Sequence, residues 1–415
     1  MGCVRVPTIV FSVAALLATS ALGAGREWPQ WRGPRRDGVS RERGLMRKWP
    51  SGGPKLVWRA KGIGLGCAPV AIADGHIYTA GNIGDETVVV ALDLEGRILW
   101  KVPNGPAWKR GDPGVRGCPT IEKGWVYHES PMGRVVCIDP GTQMVIWSVD
   151  ILEKFGGRNI QWGLSESLLI DGGKVIACPG GDAAGMVALN SKTGETVWVC
   201  EELGDRPGYA SPIVFTFKGL RQIVTMTATA AVGVHARTGK LLWRHEHKTA
   251  NDANIPTPIF HPKGYVLITS GYNSGSELLK LFVKGSQAKV EPFWQVKGLD
   301  NDHGGVLMVN DYLYGSTHRG EWVCLDIKTG KPTYKEPGIG KGSVTYADGH
   351  LYILNEQGTV ALVSASPKAH TVISKFPIPV AAANYSRRPS SAHPVVCNGR
   401  LYIRYDDELF CYMVD

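Results

Sequence analysis

A short unit recurs along this chain and restricts the folds open to it more than any other feature. In Val187 to Trp198 a strand ends in Ala188-Leu189-Asn190, the turn Ser191-Lys192-Thr193-Gly194 follows, and a second strand carries Trp198. The same unit appears at Val90 to Trp100, Val136 to Trp147, Gly233 to Trp243 and Val323 to Tyr334. Self-similarity of this kind marks a repeat array, in which each copy buries its apolar faces only against its neighbours.

Each copy reads as four strands. The first runs from Ala68 to about Pro103: an inner strand at Ala68 to Ala73, the hairpin signal Asp74-Gly75, then strands at His76 to Ala80, Thr87 to Leu92 and Arg97 to Val102. Later second strands fall at Trp125 to Glu129, Lys174 to Cys178, Gln222 to Met226, Tyr265 to Thr269, Tyr312 to Ser316, His350 to Leu354 and Arg400 to Arg404. The spacing is roughly 40 to 50 residues, the period of four-stranded propeller blades. Counting second strands gives eight copies. The last, His393 to Val414, stops after its third strand and lacks the aromatic strand. A lone strand near the start, Lys55 to Ala60 with Trp58 in the aromatic position, is the missing piece. The chain is therefore predicted to be an all-β, eight-bladed propeller whose last blade is closed by an N-terminal strand, because closure removes the sheet edges that an open array leaves exposed. The 52 glycines and only 20% charged residues suit short strands and tight turns better than long surface helices.

Within this plan Trp58, Trp100, Trp147, Trp198, Trp243, Trp294 and Tyr334 recur at one place on each outer strand, where an aromatic face wedges between blades. Cys137, Cys324 and Cys411 share a repeat position with Ala91 and Ala188, which makes them small buried strand residues. Cys67 and Cys118 stand at the starts of neighbouring repeats, and a disulfide between them is one alternative. His245, Glu246, His247 and His261 offer metal-ligand types, but surface histidines at that density need no metal. The glycine-rich run Gly62 to Gly66 precedes a strand and no helix, so a phosphate-binding reading fails its context.

Residues 1–24 have the form of an export signal: Arg5, an apolar run from Ile9 to Leu22, and small residues at Ala21-Leu22-Gly23-Ala24. A periplasmic or extracellular location is expected, with no spanning segment in the mature chain and no cysteine placed for a lipid anchor. Residues 25–54, with Trp28-Pro29-Gln30-Trp31 and Asp37-Gly38-Val39-Ser40, are expected to form an ordered arm lying on the surface of the propeller, which fills 55–415. The net charge is +9, but the lysines and arginines are scattered, so no nucleic-acid partner is expected.

The turn pattern Asp/Asn-x-x-Thr-Gly-x-x-x-Trp resembles the pyrroloquinoline-quinone-type (PQQ-like) propeller repeat, over almost all of the mature chain. That superfamily holds quinoprotein alcohol dehydrogenases and a propeller lipoprotein that helps assemble outer-membrane β-barrels. The arm from Trp28 to Ser40 is similar to the opening of secreted planctomycete-type PQQ-like propellers. Departures from the repeat near the inner strands are where a site would lie: Ser165-Glu166-Ser167, Tyr209-Ala210-Ser211, Asn251-Asp252-Ala253-Asn254 and Asn301-Asp302-His303-Gly304-Gly305. Glu166, Asn254 and His303 are the funnel candidates for holding a ligand or cofactor. The resemblance to the quinoproteins implies Asp182 and Asn273 as calcium ligands and Asp302 as the base towards an alcohol. The chain departs from those enzymes in having Asp182 where they have a longer Glu, and in lacking an adjacent cysteine pair and a Cys-x-x-Cys-His haem motif. The expected function is a monomeric binding or scaffold module. It would engage a protein, a small molecule or a carbohydrate through the central funnel and top face. The alternative is a PQQ- and calcium-dependent oxidoreductase acting on an alcohol or sugar.

Overall fold

In the computed structural model the described residues are 27–303, 305–381, 384, 385 and 388–415; the candidate export signal lies outside them. They form eight separate four-stranded antiparallel sheets. The blades span 71–106, 120–150, 169–200, 213–246, 259–296, 307–336 and 342–377, and the eighth spans 395–413. Among the described residues no helix is long and apolar enough to cross a membrane.

The ring closes as the missing strand required. Leu56–Lys61 is hydrogen-bonded as the outer strand of the eighth blade, against Glu408–Met413, with Trp58 opposite Cys411 and Lys61 opposite Glu408. Trp58 therefore sits in the register that Trp100 has opposite Ala91, Trp147 opposite Cys137 and Trp198 opposite Ala188. In every blade the pairing of the third and outer strands slips by a residue close to this position. Such a bulge bends the outer strand and sharpens its twist.

The aromatic and the turn glycine of the repeat are one device. Trp58, Trp147, Trp198 and Trp294 lie flat on Gly96, Gly194, Gly239 and Gly330 of the next blade's outer turn, where a Cβ would meet the indole at 2.5 to 2.9 Å. Those glycines also have φ of +67° to +83°, which few other residues adopt without strain. Trp58, Trp147 and Trp294 donate from Nε1 to the carbonyls of Leu94, Ser191 and Ile327 in that turn. Four blades thus key the one after them, and Trp58 does so across the joint where the chain ends meet.

The seventh blade breaks the series, with Ser374 opposite Leu362 where the other blades have an aromatic. The N-terminal arm repairs it. The Trp49 N–H donates to Ser374 Oγ, and its indole packs on Tyr352 and Phe376 in the core between the seventh and eighth blades.

The rest of the arm does not lie on the outside of the disc. It crosses the end of the central channel on the face that carries the turns between first and second strands. Trp28 bridges Ile72 of the first blade, and the Pro29 carbonyl accepts from Ile121 of the second. Arg36 donates to Ser167 O and Leu168 O ahead of the third blade. Trp31 Nε1 donates to Thr257 Oγ1 before the fifth, Arg32 to Val306 O before the sixth, and Ser40 N to Tyr346 O of the seventh. Glu42 accepts from Asn398 N and Gly399 N of the eighth. Burial lowers the Arg32 and Arg36 guanidinium groups to about 10, still charged at neutral pH. These donors satisfy carbonyls at the inner rim that a propeller otherwise leaves to water.

Candidate functional site

The arm turns the channel into a cup. Its inner end is closed by Trp31, whose ring meets the His393 imidazole edge-on at 4.6 Å. Its walls come from the segments that link one blade to the next, and its volume is about 240 Å³. A second hollow, of about 500 Å³, lies on the other side of the arm against Ile213–Phe215 and Pro258–Phe260.

One wall of the cup is aromatic and hydroxylic. Trp162 and Tyr209 face each other at 5.7 Å, with Ser165, Ser211 and Thr257 beside them. Hydroxyl-to-backbone bonds fix this wall: Ser167 Oγ accepts from Cys118 N, and Ser211 Oγ accepts from Ser167 N, so each linker is pinned to its predecessor. At the rim Arg116 donates to Asp112 Oδ2 at 3.0 Å and to Trp162 O at 2.9 Å.

The opposite wall carries Asp302 and His303, backed by a network of paired charges. Asp302 Oδ2 accepts from Lys341 Nζ at 2.9 Å and pairs with His318 Nδ1 at 2.8 Å. Lys341 also reaches Glu356 at 3.3 Å, and Glu356 pairs with His303 Nε2 at 3.1 Å. The hydrogen bond from His303, with help from Lys341 and against burial, holds Glu356 down to about 2. Burial works against the Lys341 charge, but Asp302 and Glu356 overcome it and keep the ammonium above its ordinary value. Burial lowers His393 to about 3, with Arg32 adding to the effect, so that imidazole is neutral at physiological pH. Asn301 shapes the loop beneath: its Oδ1 accepts from His303 N and Gly305 N, and its Nδ2 donates to Ser316 O.

Of the residues singled out from sequence, Asp302 and His303 line the cup. Asn254 does not. It is fully buried, its Nδ2 donates to the carbonyls of Thr227, Ala228 and His247, and its Oδ1 accepts from Ser270, so it ties loops together and has nothing left for a ligand. Glu166 is buried behind the wall, where its Oε1 accepts from Cys178 N. Burial raises its carboxyl, against hydrogen bonding to Glu129, and raises Glu129 well above the carboxylate range, with Glu166 adding to the effect. Taken as ionised, this pair would leave both Glu129 oxygens and Glu166 Oε2 without partners, so a proton shared between the two carboxyls relieves two of the three. Asp182 and Asn273 are exposed on loops of the third and fifth blades and do not line the cup.

These residues do not fit a quinone–calcium centre. The two implied calcium ligands stand outside the cup, and the third acidic group, Asp302, already has a built-in cation in Lys341. Among the described residues no three His, Cys, Asp or Glu side chains are gathered as metal ligands would be. His245 and His247 both turn onto Glu277 of the next blade, at 2.9 and 2.8 Å, and not onto Glu246 or His261. Cys67 and Cys118 are free thiols. Glu129, His318, Lys341 and Glu356 were not flagged by the sequence; their one signal is a charged or imidazole side chain at the channel end of a second strand or in a linker.

The comparisons agree with the architecture. Residues 84–336 match the family described as outer membrane protein assembly factor BamB. BamB from Moraxella catarrhalis is 15% identical, with a TM-score of 0.63 over 87% of this chain and 99% of that one. The quinohemoprotein alcohol dehydrogenase from Comamonas testosteroni is 13% identical, with a TM-score of 0.66 over 95% of this chain and 81% of that one. A europium-containing methanol dehydrogenase is 12% identical, with a TM-score of 0.53 over 92% and 89%. No curated protein sequence matches the chain. At these identities the solved structures speak for the fold alone. With the sequence match covering more than half of its length, the chain belongs to the PQQ-like β-propeller family of the outer membrane assembly factor BamB.

Proposed function

We propose that the chain is an exported binding module that receives its ligand or partner through the cup and the face on which the cup opens. One observation carries this reading: the arm closes the channel at one end, leaving a blind, aromatic-lined recess whose charged side chains are already paired with one another. A recess of that kind suits recognition. Asp302, the residue expected to act as a base, is held through Oδ2 by Lys341 and His318, and its Oδ1 is buried. Export is supported by the form of residues 1–24. A protein-docking role, as in the assembly factor whose family it shares, would use the same open face.

The competing reading is a quinone-dependent alcohol or sugar oxidoreductase. Purified chain mixed with pyrroloquinoline quinone and calcium is expected to reduce no dye when an alcohol or glucose is added. Turnover that disappears in Asp302→Asn, with the melting temperature unchanged, would replace the binding module by the enzyme.

A further inference from the structure

We propose that the cup takes a neutral sugar, a single ring or the end of a short saccharide, seated over Trp31 and against Trp162; this rests on the reading of the cup as the binding site.

Three properties of the cup select the ligand class. The first is size. About 240 Å³ is less than the roughly 300 to 1,000 Å³ of pockets that hold drug-sized molecules, and leaves room for one ring and its substituents. The second is charge. Arg116 faces Asp112, and Lys341 stands between Asp302 and Glu356, so every one of these charged side chains already has a partner of opposite sign. An anion would meet the carboxylates of Asp112 and Asp302. A cation would meet Arg116, and at Asp302 it would compete with the Lys341 ammonium already paired there. Either would shed its hydration without a counter-charge, which is costly in a closed recess.

The third property is the alternation of surfaces. Trp31 at the floor, Trp162 beside Tyr209, and Tyr272 against His318 at 4.7 Å present broad apolar faces. Between them stand the hydroxyls of Ser165, Ser211, Thr257 and Ser391; Ser165 donates to Tyr209 O and can still accept, while Ser211 and Thr257 accept from Ser167 N and Trp31 Nε1 and can still donate. Asp302 and His303, in the same lining, each keep a buried side-chain atom, Oδ1 and Nδ1, without a partner. An apolar ligand would strand these polar groups. A ligand with a flat C–H face and a rim of hydroxyls satisfies both surfaces at once, and a pyranose has that shape.

The test uses the intact mature chain, titrated with glucose, galactose, mannose, N-acetylglucosamine and cellobiose, and with choline chloride and sodium phosphate as charged probes. Tryptophan fluorescence and calorimetry are read. Saturable binding of at least one neutral sugar is expected, weakened about tenfold or more in Trp162→Ala and restored in part in Trp162→Phe. Trp162 is only half-buried, so the melting temperature of both variants should stay near that of the parent. If none of the five sugars binds, or if binding ignores Trp162→Ala, the sugar assignment is overturned. Choline or phosphate binding that needs Trp162 would overturn the sugar class and leave the cup as the binding site. If no probe binds at all, the sugar assignment fails, and the binding-module reading is left with a protein partner on the open face.

Discussion

A chain that begins after Lys61 is expected to lose the folded ring, not merely some of its stability. Three losses coincide in that truncation. The eighth blade gives up its outer strand, and Glu408–Met413 becomes a bare sheet edge. Such an edge pairs readily with other chains, so aggregation is the expected outcome. The indole that keys the eighth blade to the first goes with it, leaving the Gly96 turn without Trp58. The floor of the channel goes too, and with it the donors that Arg32 and Arg36 supply to Val306, Ser167 and Leu168. A second truncation, beginning at Lys55, separates these terms. It keeps the closing strand and removes the arm, so it should fold and melt well below the parent. Thermal melts and size-exclusion profiles of the two chains read the difference. A chain lacking residues up to Lys61 that melts like the parent would rule out ring closure by the N-terminal strand.

The second large effect is expected at Arg404. This side chain is only 1% exposed, and it leaves the eighth blade to enter the first. Its guanidinium donates to Gly64 O, Ala68 O and Ala80 O at 2.7 to 2.8 Å, and to Thr79 Oγ1. Burial lowers it to about 10, with the nearby thiol of Cys67 and the carboxylates of Asp406 and Asp407 acting the other way, so it stays charged at neutral pH. Arg404 is therefore the polar counterpart of the Trp58 wedge at the same joint. Arg404→Met keeps the bulk and removes every donor, taking the guanidinium from Gly64 O and Ala80 O in a buried seam and leaving Ala68 O with only Thr79 Oγ1. A loss of about 3 to 5 kcal/mol is expected, the range for breaking a buried charged group's contacts. Arg404→Lys keeps the charge but loses the fork, and should recover only part of it. Chemical denaturation of the three proteins measures this. A loss below about 1 kcal/mol in Arg404→Met would show that water or a neighbouring side chain replaces the guanidinium.

The fold was legible because a ring of repeats writes itself into the chain as a period. Aromatic, bulge and turn glycine return in most copies, and in four of them for one physical reason, the stacking of an indole on the next blade's turn. The same regularity exposed the missing outer strand and its replacement at Leu56–Lys61. The arm was legible only as an ordered, non-repeating segment. Its path through the channel depends on bonds from Trp31, Arg32 and Arg36 to backbone and hydroxyl atoms more than a hundred residues away, and no local pattern records them. The cup was half legible. Polar departures before the inner strands led to Asp302 and His303, which line it, and equally to Asn254, whose amide is consumed by three carbonyls. Lys341 and Glu356 sit in a glycine-rich linker and an ordinary second-strand turn, so nothing in sequence set them against Asp302. Glu129 reads as the end of a plain strand until Glu166 is placed beside it from another blade.

Everything said of the site depends on the arm being the floor of the cup, and hydrogen–deuterium exchange of the intact chain tests that most directly. The amides of Trp28, Ser40 and Met46 are bonded to Ile72, Tyr346 and Val414, and the amide of Ile121 is bonded back to Pro29. A floor built in this way predicts that those four amides exchange as slowly as the inner strands of the blades. Exchange of residues 27–46 within seconds, while the blades stay protected, would mean that the channel runs open from face to face and that there is no cup.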